Sequence, residues 1–94
     1  MNLRRDVFQA MADPTRRAIL DELREGERAA GDLLPRARIS QPAMSQHLAV
    51  LRSAGLVMQR KAGRRRLYSV RPDPLREVAE WIGAYERFWT ERLD

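Results

Sequence analysis

Gln41, Ser45 and Gln46 fall within the stretch I-S-Q-P-A-M-S-Q-H-L-A-V-L-R, Ile39 to Arg52, and no acidic residue accompanies them. A glutamine carboxamide can bond bidentately to adenine in the major groove, and a serine hydroxyl can bond a base edge or a phosphate. A second group has the complementary chemistry. Arg60, Lys61, Arg64, Arg65 and Arg66 fall within seven positions. Guanidinium groups bind phosphate as planar, two-pronged donors. Short polar groups beside clustered cations suit a polyanion whose edges are to be read.

These side chains need elements to aim them. Ser40 is an N-cap residue and Pro42 sits in the first turn, where a missing N–H costs nothing. Met44, Leu48 and Leu51 follow at helical spacing as an apolar stripe. The spacing therefore predicts a recognition helix over about 40–53, apolar behind and short-polar in front, with Gly55 as its stop. A strand over Leu56–Lys61, a turn at Ala62-Gly63 and a return strand over Arg64–Val70 predict a hairpin wing over about 56–70. Val57, Leu67 and Val70 are its expected inward positions. Like charges across a hairpin repel, so five cations flanking its tip call for an anion from outside.

Upstream, residues 3–12 read as a helix with Leu3, Val7, Phe8 and Met11 on one side. Asp13-Pro14 reads as an N-cap followed by the first position of a second helix, running to about Arg24 with Ala18, Ile19, Leu20 and Leu23 inward. Residues 29–37 read as a short third helix anchored by Leu33 and Leu34. Asp32 caps it, or it starts at Ala29. A short helix, a tight turn and an amphipathic second helix make a helix-turn-helix, and the hairpin makes it winged. Arg16 and Arg17, early in the second helix, are either solvated charge or phosphate contacts at the edge of a DNA site. Arg52, at the end of the recognition helix, joins the phosphate set.

Asp73 and Pro74 predict the cap and start of one long last helix over about 74–93. Leu75, Val78, Ile82, Tyr85 and Trp89 recur at alternating three- and four-residue steps, and Trp81 and Phe88 widen the seam. Four of the six aromatic residues lie here. One neighbouring helix cannot cover so much apolar surface, which predicts a dimer interface shared with Leu3, Val7 and Phe8 of the first helix.

The chain has 94 residues, a net charge of +5, one histidine and no cysteine. The length suits a single domain, residues 1–94. Its fold class is mainly α with a β-hairpin wing: about five helices plus a two-stranded wing, dimeric. Without cysteine there is no disulfide, thiolate metal site or thiol switch. No apolar run is long enough to span a membrane and the N-terminus is too polar for a signal peptide, so a cytoplasmic location is expected. No Gly-rich phosphate loop, cysteine nucleophile or triad is present, which argues against an enzyme.

Four runs together resemble the ArsR/SmtB-type bacterial transcriptional repressors: A-D-P-T-R-R-A-I-L at Ala12–Leu20, I-S-Q-P-A-M-S-Q-H-L-A-V-L at Ile39–Leu51, A-G-L-V at Ala54–Val57 and G-R-R-R-L-Y-S-V at Gly63–Val70. The resemblance covers nearly the whole chain in order. It implies a homodimer that pairs through the first and last helices and binds double-stranded DNA at an inverted repeat near its own promoter. It also implies a recognition helix in the major groove and a wing near the minor groove or backbone. The family's metal sensors carry a Cys-x-Cys pair about where this chain has Gly31-Asp32-Leu33-Leu34, or Asp, His and Glu on the last helix. This chain has neither set, so it resembles the short, cysteine-free branch, and no metal or other cofactor is expected.

His47 flanks the apolar stripe, where a packing or capping role fits. The family's Ser-x-His-Leu pattern matches Ser45, His47 and Leu48 and implies a histidine near DNA. A phosphate or structural contact, in company with Ser40, is expected rather than a metal. Two other functions remain open at this level. The fold could serve as a protein-interaction module, with its basic hairpin meeting an acidic partner. Alternatively, a repressor could take a small apolar inducer between its terminal helices.

Overall fold

The computed structural model describes residues 5–93, and side chains at all of these except 34–37 and 91–93. Leu3 and the side chain of Leu34 lie outside the described residues. Helix α1 spans Arg5–Ala12 and α2 spans Pro14–Arg24. Asp13 caps α2 as expected, accepting the Arg16 amide at 3.0 Å on its carboxylate. A two-residue strand β1 (Arg28–Ala29) leads into α3 (Ala30–Ala37), and α4 spans Gln41–Ser53. The turn between α3 and α4 passes through Arg38 at φ 56, a region non-glycine residues seldom occupy.

The core lies where α1 to α4 converge. Ile19 and Leu23 of α2, Leu33 of α3, and Met44, Leu48 and Leu51 of α4 are all buried. Burying each such side chain contributes about 1.5–3 kcal/mol. Val7 is only 2 % exposed and belongs to this core, which corrects its expected place in a dimer interface. It points from α1 towards the α2–α4 bundle, while Phe8, the next residue, points out. Ala18, expected inward, is exposed. Its neighbours Ile19 and Leu20 take the buried arc of α2.

Helix α4 ends in a Schellman motif. Gly55 adopts φ 76, its amide donates to the Arg52 carbonyl at 3.0 Å, and the Leu56 amide donates to the Leu51 carbonyl at 2.9 Å. Leu51 and Leu56 are both fully buried, so the polar cap has an apolar counterpart.

Strand β2 (Val57–Ala62) and β3 (Arg65–Val70) form the hairpin, with Val57 opposite Val70 and Ala62 opposite Arg65. The turn is Gly63-Arg64, one residue beyond the expected Ala62-Gly63. Gly63 takes φ 63 at the first central position, which a tight hairpin of primed type requires. The wing is also three-stranded rather than two-stranded. β1 pairs antiparallel with β3, Arg28 opposite Tyr68, giving the order β1-β3-β2. Two residues carry no readable alternation, so the sequence holds no strand signal there.

The expected long last helix is two helices, α5 (Asp73–Gly83) and α6 (Glu86–Leu93). Gly83 is the weak point, since glycine costs about 1 kcal/mol in a helix interior. The backbone tightens there into three-residue bonds, Ala84 N to Trp81 O at 3.3 Å and Tyr85 N to Ile82 O at 2.9 Å. Asp73 is the first residue of α5 and not its cap; Pro72 holds the cap position without a side-chain hydrogen bond. Its carboxylate still sits favourably at the positive end of the helix dipole. Leu75 and Val78 pack half-buried against the core. Beyond them α5 and α6 reach outward, and the molecule measures 50 × 26 × 20 Å. Among the described residues, no helix is long and apolar enough to cross a membrane.

Candidate nucleic-acid interface

Helix α4 is set by its two ends and its back. Ser40 Oγ accepts the Ala43 amide at 3.2 Å, and the Schellman motif fixes the other end. The buried Met44–Leu48–Leu51 stripe turns the opposite arc outward. Gln41, Ser45, Gln46 and Ala49 are all exposed there. Val50 is also exposed, at 39 %, and is absent from the expected contacts. An apolar side chain beside amides and hydroxyls suits the methyl group of thymine. Its place on the same exposed arc as Gln46 and Ala49 is the signal in the sequence that points to it.

His47 sits on the flank of α4 facing α2. Its Nδ1 lies 3.5 Å from Arg16 Nη1 and 3.9 Å from Asp13 Oδ2. The neutral ring can accept from the guanidinium, and the charged ring can pair with the carboxylate. Asp13 is held below the ordinary carboxylate range, first by the Arg16 amide bonded to it and then by the charges of Arg16 and His47, against an opposing effect of burial. Among the described residues no cluster of His, Asp and Glu could hold a metal ion.

Arg16 and Arg17 are not free cations. Arg16 donates from Nε to the Ala10 carbonyl and from Nη2 to the Gln9 carbonyl, each at 2.8 Å. Arg17 donates from Nη1 to the Met11 carbonyl at 2.6 Å. These carbonyls belong to the last turn of α1, which has no helical partners of its own. The two arginines cap α1 and lock it to α2. Arg52 lies beside the wing. With the Gln59 carboxamide oxygen turned towards α4, it accepts from Arg52 Nη1 at 2.6 Å and Nη2 at 2.9 Å.

The five wing cations divide in the same way. Arg60 makes a bidentate pair with Glu27, Nε and Nη2 each 2.8 Å from a carboxylate oxygen. The bond from Arg60 holds Glu27 below its ordinary range, and Glu27 raises Arg60 in turn. Arg65 Nη2 lies 2.8 Å from Asp32 Oδ2. Lys61, Arg64 and Arg66 are exposed, and no ion-pair partner is found for them among the described residues. No Asp or Glu occurs between Asp32 and Asp73, so α4 and the wing strands carry no acid of their own. That stretch also includes Arg38, exposed in the turn before α4 and likewise absent from the expected contacts.

A helix presenting amides and hydroxyls in front of a buried apolar back, flanked by a basic wing, defines a winged helix-turn-helix DNA-binding protein. Residues 13–58 match the family model described as bacterial regulatory protein, arsR family. The chain is 45% identical to the HTH-type transcriptional regulator Rv2034 of Mycobacterium tuberculosis, over 93% of this chain and 78% of that protein. It is 38% identical to the transcriptional repressor SdpR of Bacillus subtilis, over 82% and 86% of the two chains. The solved structure of an ArsR-like transcriptional regulator from Rhodococcus sp. RHA1 matches with a TM-score of 0.80 at 34% identity, covering 94% of this chain and 81% of that one. The chain belongs to the ArsR family of bacterial regulators: it is a DNA-binding transcriptional regulator and not an enzyme.

Proposed function

We propose that the protein is a homodimeric repressor that binds an inverted-repeat operator near its own gene and needs no metal as effector. The acid-free outer arc of α4 carries this reading. Gln41, Ser45 and Gln46 meet base edges there, while Ser40, His47, Arg52 and the exposed wing cations Lys61, Arg64 and Arg66 lie where the backbone passes. Arg16 and Arg17 contribute by holding α1 against α2. A dimer sets its two α4 helices about one turn of DNA apart, ~34 Å.

The partner surface is the outward side of α1, α5 and α6. Phe8, Trp81, Ile82, Tyr85, Phe88 and Trp89 are each 39–53 % exposed. Phe8 meets Trp81 edge-on at 6.2 Å, Trp81 meets Tyr85 at 5.2 Å, and Tyr85 meets Phe88 at 6.2 Å. An apolar hollow of about 400 Å³ opens among the aromatic rings of α5 and α6. So large a contiguous apolar patch on a small chain fits a self-complementary interface. Leu75 and Val78 brace the base of this arm against the core.

The test is binding of the full chain to its own upstream duplex and to a scrambled duplex, across a salt series, with and without a chelator. Preference for the upstream duplex, a steep salt dependence and indifference to the chelator are expected. Equal affinity for both duplexes would remove the operator, and a chelator effect would restore metal sensing.

A further inference from the structure

Strict pairing of β2 with β3 sorts the wing cations onto two faces, because side chains alternate along a strand. Val57 is buried and its partner Val70 packs against the core, so their face of the hairpin is turned to the helices. Lys61 and its partner Arg66 lie further along that same face. Arg60 and Arg65 lie on the other, with Leu67 between Arg60 and β1. From there Arg60 reaches over β3 to Glu27, and Arg65 reaches Asp32. Glu27 lies in the segment joining α2 to the helix-turn-helix, and Asp32 in the first turn of α3.

The two faces have opposite electrostatics. On the outer face each guanidinium already has an anion. A phosphate approaching Arg60 would find its Nε and Nη2 already bonded to a carboxylate and its charge already balanced, so it gains less there than at a cation without a carboxylate partner. On the inner face two like charges stand directly across from one another, an arrangement that destabilises a hairpin unless an anion lies between them. Arg64, also without an ion-pair partner among the described residues, adds a third cation at the turn. The inner face also continues towards Gln59, which contacts Arg52 of α4.

We infer that the wing holds DNA phosphate with Lys61, Arg66 and Arg64 alone, while Arg60 and Arg65 are positioning residues that fasten the wing to Glu27 and Asp32. This rests on the operator-binding reading above and divides the wing within it.

The experiment is the salt dependence of operator affinity for the full chain and four variants: Lys61→Ala, Arg66→Ala, Arg60→Ala and the charge swap Glu27→Arg with Arg60→Glu. Removing one cation from a phosphate lowers the slope of log K against log salt by about 0.9, hence by roughly 2 for a dimer. Lys61→Ala and Arg66→Ala should each show that decrease and weaken operator and scrambled DNA alike. Arg60→Ala should leave the slope unchanged while lowering the melting temperature, and the swap should restore that temperature with the wild-type slope. A decrease in slope in Arg60→Ala equal to that in Lys61→Ala, or one that persists in the swap, would overturn the division. A wild type without salt-dependent binding to any duplex would instead remove the operator reading, and this division with it.

Discussion

His47 on α4 lies 3.5 Å from Arg16 on α2, and the same guanidinium holds the last carbonyls of α1. One side chain therefore joins α4 to α1. Arg16→Ala should cost about 1.5–2 kcal/mol, the lower part of the range for charged hydrogen bonds because the site is part exposed. Arg16→Lys should not restore it, since a point charge cannot reach two carbonyls and a ring at once. Urea denaturation measures both. Full stability in the lysine variant would show that charge alone is at work.

Gln46→Ala should lower the preference for the operator over scrambled DNA, by about 1–3 kcal/mol if the carboxamide bonds bidentately to a base. Its salt slope should stay at the wild-type value, because every phosphate keeps its cation. Competition binding with the two duplexes reads both quantities. A changed slope with intact preference would move Gln46 from base to backbone.

Phe88→Glu tests the arm. Phe88 is 53 % exposed on α6 and has only Tyr85 as an aromatic neighbour among the described residues. A charge there should leave the body folded but shift the protein to monomer in sedimentation at micromolar concentration, and operator affinity should fall with it. A variant that stays dimeric would confine the interface to α1 and α5.

Acid should loosen the fold through Asp13 and Glu27. Both carboxyls sit below their ordinary values of 3.8 and 4.5 in the folded chain. Each therefore adds stability above its unfolded pKa and loses it as pH falls through the folded one. Glu27→Gln should be less stable than wild type near neutrality, and the gap should close on acidification through and below about pH 4.5. Thermal melts at stepped pH check this; a gap that stays constant would mean the Arg60 pair contributes nothing to folding.

The sequence is most legible where one pattern has one physical cause. The Ser40 cap, the buried Met44–Leu48–Leu51 stripe and the Gly55 stop lie where spacing predicts, because capping and periodicity act locally. Val7 reads as interface because a single helix with apolar residues on adjacent arcs does not say which arc meets its own bundle. The last helix reads as continuous because heptad spacing survives the Gly83 break: the rings of Trp81, Tyr85 and Phe88 still follow one another. The wing cations are visible as a cluster, but their division is not. Glu27 and Asp32 each lie 33 residues from their partners, and only the pairing of β1 with β3 brings them together.

That short strand has a consequence for how the chain reaches its native state. Pairing Arg28 with Tyr68 closes a loop of about forty residues, and closing a flexible loop of that length is entropically costly. The loop contains α3, the turn and α4. Once α4 has docked on α2, most of that disorder is already gone and the ends need only meet. The β1–β3 pairing is thus a clasp whose closure is least costly once the helices are docked, and the ion pairs to Glu27 and Asp32 are its fastenings.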